Sequence, residues 1–316
     1  MATDAASNVA IAEQPEDLEV TGAPRRFIRA VLGNRKAAAG ALILLVIAFV
    51  AAFPGVIAPD DPQATIYPAN LLPSPTHLLG TTQIGQDVFS QLIWSTRLTL
   101  VVTLIVSVIA TLISMIVGVT AAYVGGVTDR VLTVTTDVFL ILPVLPLLIL
   151  LAAYLPPGVT SLVIVLLITS WAFQARQLRS QGLSIRNRDF LVAARVRGER
   201  PLYIILVEIV PTMASLLAAS FLALAVYVVG FAASLQFLGL GNSGELMWGT
   251  MLYNAQQAAA LEAGNPWWAL APGAAVALLG AGFALLNYAF DEIGNPALRP
   301  VRRRRLARRR RGRASS

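Results

Sequence analysis

Six apolar runs divide the chain, at about 37–57, 98–123, 131–154, 158–178, 212–238 and 269–291, and all but a few of the charged residues lie outside them. Each run is near the ~20 residues that cross a bilayer as a helix, which predicts an all-α membrane protein of six transmembrane helices. Residues 1–36 are polar, acidic at Glu13, Glu16, Asp17 and Glu19 and then basic from Arg25 to Lys36. Their apolar neighbour is too long and arrives too late for a signal peptide, so they read as a disordered cytosolic tail before an uncleaved first span. Residues 37–299 form the expected membrane domain and 300–316 a basic tail.

The basic residues set the orientation. With the N-terminus cytosolic, twenty-three of the twenty-four Lys+Arg fall on the inner side and Arg97 alone outside, so both termini are expected in the cytosol. Composition agrees with the membrane class: 56% hydrophobic, 13% charged and a mean hydropathy of +0.70. The net charge of +7 is gathered in tails and loops, and the arginine runs at 302–305 and 308–311 suit anionic lipid. No aromatic or folded reading module accompanies them, so nucleic acid is not an expected partner.

Catalytic chemistry finds no support. The chain has no cysteine and one histidine, His77, which excludes thiol sites and multi-histidine metal sites. The lone lysine, Lys36, is followed by alanine, so there is no phosphate loop ending Gly-Lys-Ser/Thr. The chain is not itself an enzyme on this reading. Within the spans Asp137 is the main ionisable group, with two readings open: an ion or substrate path, or a carboxylate facing protein or interfacial water. Pro143 and Pro146 imply a kink in the same helix.

Between the fourth and fifth runs, residues 179–211 carry too many arginines for hydrocarbon. Asn187 is a candidate N-cap for a helix with Asp189 at its positive end, Gly198 a left-handed stop, and Pro201 the first turn of a second helix that ends near Pro211. By spacing, Phe190, Ala193, Ala194 and Arg197 share one face, a small-residue surface suited to docking. The run Val192-Ala193-Ala194-Arg195-x-x-Gly198, with Ile209-Val210-Pro211 beyond it, resembles the "EAA" loop of membrane subunits of binding-protein-dependent ABC importers. There the loop forms a coupling helix that docks on the ATPase subunit, and the resemblance carries that role to Asp189, Phe190, Ala193, Ala194, Arg195, Gly198 and Pro211. Val192 stands where the family usually has Glu, and Glu199-Arg200 where Ala-Ser is common.

Two further blocks carry the resemblance. In the first external segment, 58–97, His77-Leu78-Leu79-Gly80-Thr81-Thr82-Gln83-Ile84-Gly85-Gln86-Asp87-Val88-Phe89-Ser90-Gln91 is similar to the "H-x-L-G-T-D-x-x-G-R-D-V-x-S-R" signature of oligopeptide, dipeptide and nickel permease subunits. His77, Gly80, Thr81, Gly85, Asp87 and Ser90 match; Thr82, Gln86 and Gln91 replace charged residues, so an ion-pair network of the family is not expected. His77 reads as a structural hydrogen-bonding residue or a ligand, and Val88, Leu92 and Ile93 give a surface helix an apolar face. In and around the last external loop, 239–268, Phe237-Leu238-Gly239-Leu240-Gly241, Trp248-Gly249-x-Met251 and Pro266-Trp267-Trp268 again resemble the family, with the tryptophans as interfacial anchors.

The resemblance implies a six-helix permease of the bacterial cytoplasmic membrane that pairs with a second homologous permease subunit. It further implies two ATPase subunits, which carry the ATP and Mg, an extracytoplasmic solute-binding protein, and no cofactor in this chain. Peptide is the expected solute, with nickel, opines and glutathione-like solutes open. The alternatives are an ion-coupled secondary transporter, which calls for midplane ionisable groups and repeated broken helices, and a membrane scaffold without transport.

Overall fold

The computed structural model describes residues 34–242 and 244–294. Nearly all of both expected tails, and the arginine runs within them, lie outside the described residues. Helix α1 (Arg35–Ala52) starts at Asn34, whose side chain accepts the Lys36 N–H at 3.0 Å. It stops before the expected residue 57 because Pro54 follows, and the residue before a proline is pushed out of the helical region.

Helix α2 (Val88–Val124) has 37 residues, about 55 Å at 1.5 Å per residue, against an apolar layer of ~30 Å. Residues 88–97, expected as part of the external segment, are therefore the first turns of a continuous helix. Val88 and Ile93 are buried in the protein, so the expected surface helix is not present. After α2, helices α3 (Gly126–Ile141) and α4 (Val144–Tyr154) meet at 91°. The expected kink is a full break at Leu142-Pro143, both extended, whereas Pro146 sits in the first turn of α4, where its missing N–H costs nothing.

Helices α5 (Val159–Ser170) and α6 (Ala172–Ile185) continue one another across Trp171. The Ser114 hydroxyl of α2 donates to the Trp171 carbonyl at 2.8 Å, serving a backbone group at that join. The chain goes on through α7 (Asp189–Val196), α8 (Pro201–Thr212), α9 (Ala214–Phe237), α10 (Trp248–Gln257) and α11 (Trp267–Gly294). By length and composition α1, α2, α5–α6, α9 and α11 can each cross a membrane, and the broken pair α3–α4 makes a sixth span if counted as one. Among the described residues there is no strand, only an isolated bridge between Thr81 and Asp87.

Helix α2 is the axis of packing, touching α1, α3, α5, α6, α9 and α10. Arg97, the outlying basic residue, donates from Nε to the Ala51 carbonyl at 2.9 Å and from Nη2 to Ala52 at 3.0 Å, covering the open end of α1. Trp248 and Trp268 are not interfacial anchors: both are buried, in a core with Val88, Leu222, Val229 and Phe283, and only Trp267 is exposed. Trp248 is fixed by its indole N–H to the Leu92 carbonyl at 3.1 Å and its backbone N–H to Thr99 Oγ1 at 3.2 Å. Trp248→Ala should cost ~3–5 kcal/mol; Trp248→Phe, which loses mainly the hydrogen bond, about 1–2 kcal/mol. Thermal unfolding of the purified protein in detergent checks this, because an interfacial anchor would leave both melting temperatures near wild type.

Candidate functional site

At one end of the bundle α7 stands on a small apolar base. Leu191 and Ala194, three apart and so on one face, are fully buried against Val119, Leu178, Ile185, Ile204, Ile209 and Met213. This overturns the expected docking face in one respect, since Ala194 belongs to the inner side. The opposite face carries Val192, Ala193 and Val196, flanked by Phe190 and Arg197; Val196 is 83% exposed. Removing the Glu expected at 192 makes that face more apolar, on a segment too short and too charged at its flanks to enter a membrane.

Both ends of α7 are defined by local chemistry. The N-cap is Arg188, not Asn187, and no side chain caps the helix, although Asp189 lies in its first turn. The C-terminus closes as expected: Gly198 has φ +76°, its N–H donates to Arg195 at 3.0 Å and the Glu199 N–H to Ala194 at 3.2 Å. This pair of bonds satisfies two end carbonyls and reverses the chain. Pro201 then starts α8, as expected, which widens to a π-helical turn over Ile204–Ile209 before Pro211. Arg195 ties α7 back to its base, donating to the Arg186 carbonyl at 2.9 Å and lying 5.3 Å from the Tyr123 ring centre.

Beside this base, α3 and α6 are joined by ion pairs. Arg179 holds Asp129 with two hydrogen bonds, 2.5 and 2.8 Å, and Arg176 pairs with Asp137. Asp137 thus has an arginine partner and sits with Thr133 and Thr136 at a small cavity of about 40 Å³. Sequence reading missed these partners; the signal was present, since acids at 129 and 137 and arginines at 176 and 179 occupy the same ends of consecutive spans.

At the opposite end the residues from His77 to Ser90 form one connected cap. Asp87 is the N-cap of α2: its Oδ2 accepts the Ser90 N–H at 2.7 Å while Oδ1 lies 3.0 Å from His77 Nδ1, both side chains buried. His77 is therefore held as a structural partner, with Tyr67 edge-on at 4.4 Å. Loss of solvent, reinforced by Asp60 and Asp87, raises the Tyr67 phenol above its usual range. Thr81 is fully buried, accepts the Leu71 N–H at 2.9 Å, donates to the Pro68 carbonyl at 2.7 Å and offers its own carbonyl to Asn265 at 2.7 Å. Gly80 and Gly85 both have positive φ, and a Cβ at either would fall within 2.3 Å of a carbonyl oxygen, Leu71 or Tyr67. At the neutral replacements, Gln91 donates to Gln86 at 2.6 Å and the Gln86 N–H to Thr82 Oγ1 at 3.0 Å. An amide network occupies the place of charges, as the sequence implies.

Comparison with known proteins agrees with this arrangement. Residues 114–297 match the family described as binding-protein-dependent transport system inner membrane component. The nickel transport system permease protein NikC of Escherichia coli K12 is 31% identical over 222 residues, 68% of this chain and 79% of that protein. The dipeptide transport system permease protein DppC of Bacillus subtilis 168 is 31% identical over 271 residues, 84% of this chain and 83% of the relative. Among solved structures, a chain of the methionine ABC transporter MetNI in an inward-facing conformation shares the fold with a TM-score of 0.50 at 18% identity, covering 63% of this chain and 96% of that one. A multi-pass, all-helical chain with these relatives belongs to the binding-protein-dependent transport system inner membrane components, the membrane-spanning subunits of ABC importers.

Proposed function

We propose that the chain forms half of a translocation pathway for peptides or a related small solute, with a second homologous permease subunit as the other half. ATP and Mg act on two separate ATPase subunits in the cytosol, and an extracytoplasmic solute-binding protein delivers the solute. The observation that carries this reading is α7: a short helix clamped to the bundle by Leu191 and Ala194, with Phe190, Val192, Ala193 and Val196 turned outward. An apolar helix face in water is normally covered by a partner. The concentration of basic residues between 176 and 200 puts α7 in the cytosol and the His77–Ser90 cap outside, with both termini cytosolic. The peptide solute is supported by relatives named as dipeptide and oligopeptide permeases, alongside those named for nickel.

The domain division follows: a cytosolic tail at 1–36, the permease domain at 37–299 with its coupling loop at 179–211, and a basic tail at 300–316 positioned for lipid headgroups.

Coupling is tested by separating the face of α7 from its mount. Val196→Glu puts a carboxylate on the outward face, where Val196 is 83% exposed in the subunit. Insertion and melting temperature should be unchanged, while retention of ATPase subunits on affinity purification falls by roughly thirty-fold or more in affinity, about 2 kcal/mol. A Cβ at position 198 meets no atom within 4 Å, so the penalty of Gly198→Val comes chiefly from the left-handed backbone, about 1–2 kcal/mol and larger than for Gly198→Ala. It should give an inserted subunit that keeps its permease partner, loses ATPase association and imports nothing. Stoichiometric ATPase retention with wild-type solute-stimulated hydrolysis in both variants would remove α7 as the coupling element.

Asp137→Asn breaks the ion pair with Arg176 while keeping an acceptor. Driven by ATP, uptake should fall modestly and be unaffected by a protonophore at constant ATP. Uptake abolished in the variant, and protonophore-sensitive in the wild type, would instead make Asp137 a proton carrier.

A further inference from the structure

At the Asp87 end of the bundle, between the segment that precedes α2 and the loop around α10, lies an open cavity of about 450 Å³. That is within the ~300–1,000 Å³ of small-ligand sites. Its wall carries one carboxylate, Glu245, and several carboxamides, of which Gln86 and Gln91 are bonded within the protein while Gln83 and Gln257 are exposed. Carboxamides donate and accept, as a peptide unit does, so they pair with amide backbones without preference for side chain.

Trp268, 4% exposed, contributes only ring surface to the wall, since its indole nitrogen is sealed from the cavity. One feature gives the cavity direction. Glu245 is fixed because one carboxylate oxygen accepts the Val159 N–H at the start of α5 at 3.1 Å, leaving the other for a cation. It is the only charged group in the wall. A bare transition-metal ion is a poor match, since the wall offers no imidazole or thiolate and a single carboxylate.

We propose that this cavity is a subsite for the amino-terminal part of a short peptide: its α-ammonium on Glu245 and its peptide units on the exposed carboxamides of Gln83 and Gln257. The proposal rests on the peptide reading given above and adds a place on this subunit where the solute is held.

The test uses the intact transporter, purified with all its subunits in lipid nanodiscs, and equilibrium dialysis of radiolabelled trialanine and N-acetyl-trialanine. Acetylation removes the ammonium without altering the protein; Glu245→Gln removes the charge but keeps an acceptor for Val159. Each should weaken binding by about tenfold or more, as loss of a charge-assisted contact does. Combined, they should do no worse than either alone, because both remove one contact. Equal affinity of the wild type for the two probes, or wild-type affinity of Glu245→Gln for trialanine, overturns the subsite. ATP-driven uptake into proteoliposomes with the solute-binding protein separates the two claims. Trialanine import alongside either of those results discards the subsite and keeps the peptide reading; nickel import without trialanine import discards both.

Discussion

Hydrocarbon offers no hydrogen-bond partner, so a helix that crosses it must begin and end where its terminal N–H and C=O groups are served. Four side chains with defined contacts answer to that requirement. Asp87 caps α2, Arg97 covers the last carbonyls of α1, Ser114 serves the carbonyl at the α5–α6 join, and Glu245 accepts the first N–H of α5. Asp87 caps its own helix, but the other three lie far from their targets in sequence, Glu245 eighty-six residues from Val159, so the same bonds that finish the helices also tie separate spans together. The His77–Ser90 block is then a structural junction: its buried aspartate, histidine and threonine fix where the longest described helix starts and hold the loop between α10 and α11 through Asn265.

The two ends of the bundle solve the problem differently, and the difference bears on function. The Asp87 end is closed by a dense set of side-chain bonds and leaves a carboxamide-lined cavity between its loops. The α7 end is closed by packing, with Leu191 and Ala194 seated on the core and an arginine donating back to the preceding turn. Packing of this kind holds a helix firmly while leaving its far side bare, which is what a surface for another subunit needs.

Much of this was legible because lipid imposes long apolar runs and a one-sided distribution of arginine. The number of candidate spans, the glycine stop at 198 and the structural role of His77 follow from rules that act over a few residues. What was not legible depended on distance. Val88 and Ile93 look like one face of a surface helix, but the same pattern is produced by a span that continues past the membrane into a protein core. Trp248 and Trp268 sit at interfacial depth by sequence, yet are inside because α10 folds back between α2 and α11. Ala194 fell on the docking face when only spacing was used; deciding which side of α7 is inner requires knowing that Ile204, Ile209 and Met213 return beneath it. Pro143 announced a bend, but not the 91° that results when two consecutive residues are extended.

The connection from α7 to the fifth span combines a firm seat with a compliant link. In an ordinary α-helix the ring of Pro211 would strike the carbonyl four residues earlier, at Val207. The π-helical turn over Ile204–Ile209, with Val210 N–H bonded to Ile205 five residues back, widens the backbone and gives the ring room. Such a turn is higher in energy than α-helix and persists because Ile204 and Ile209 are anchored in the same apolar base as Leu191 and Ala194. A displacement of α7 therefore bears directly on that base and through it on α2 and α6, while along the chain α9 lies beyond a π turn, a proline and a break at Met213. In the proposed role, motion of α7 would pass to α2 and α6 through the base, and to α9 through Leu216 and Leu217, which rest on the same base, and through the packing of α9 on α2.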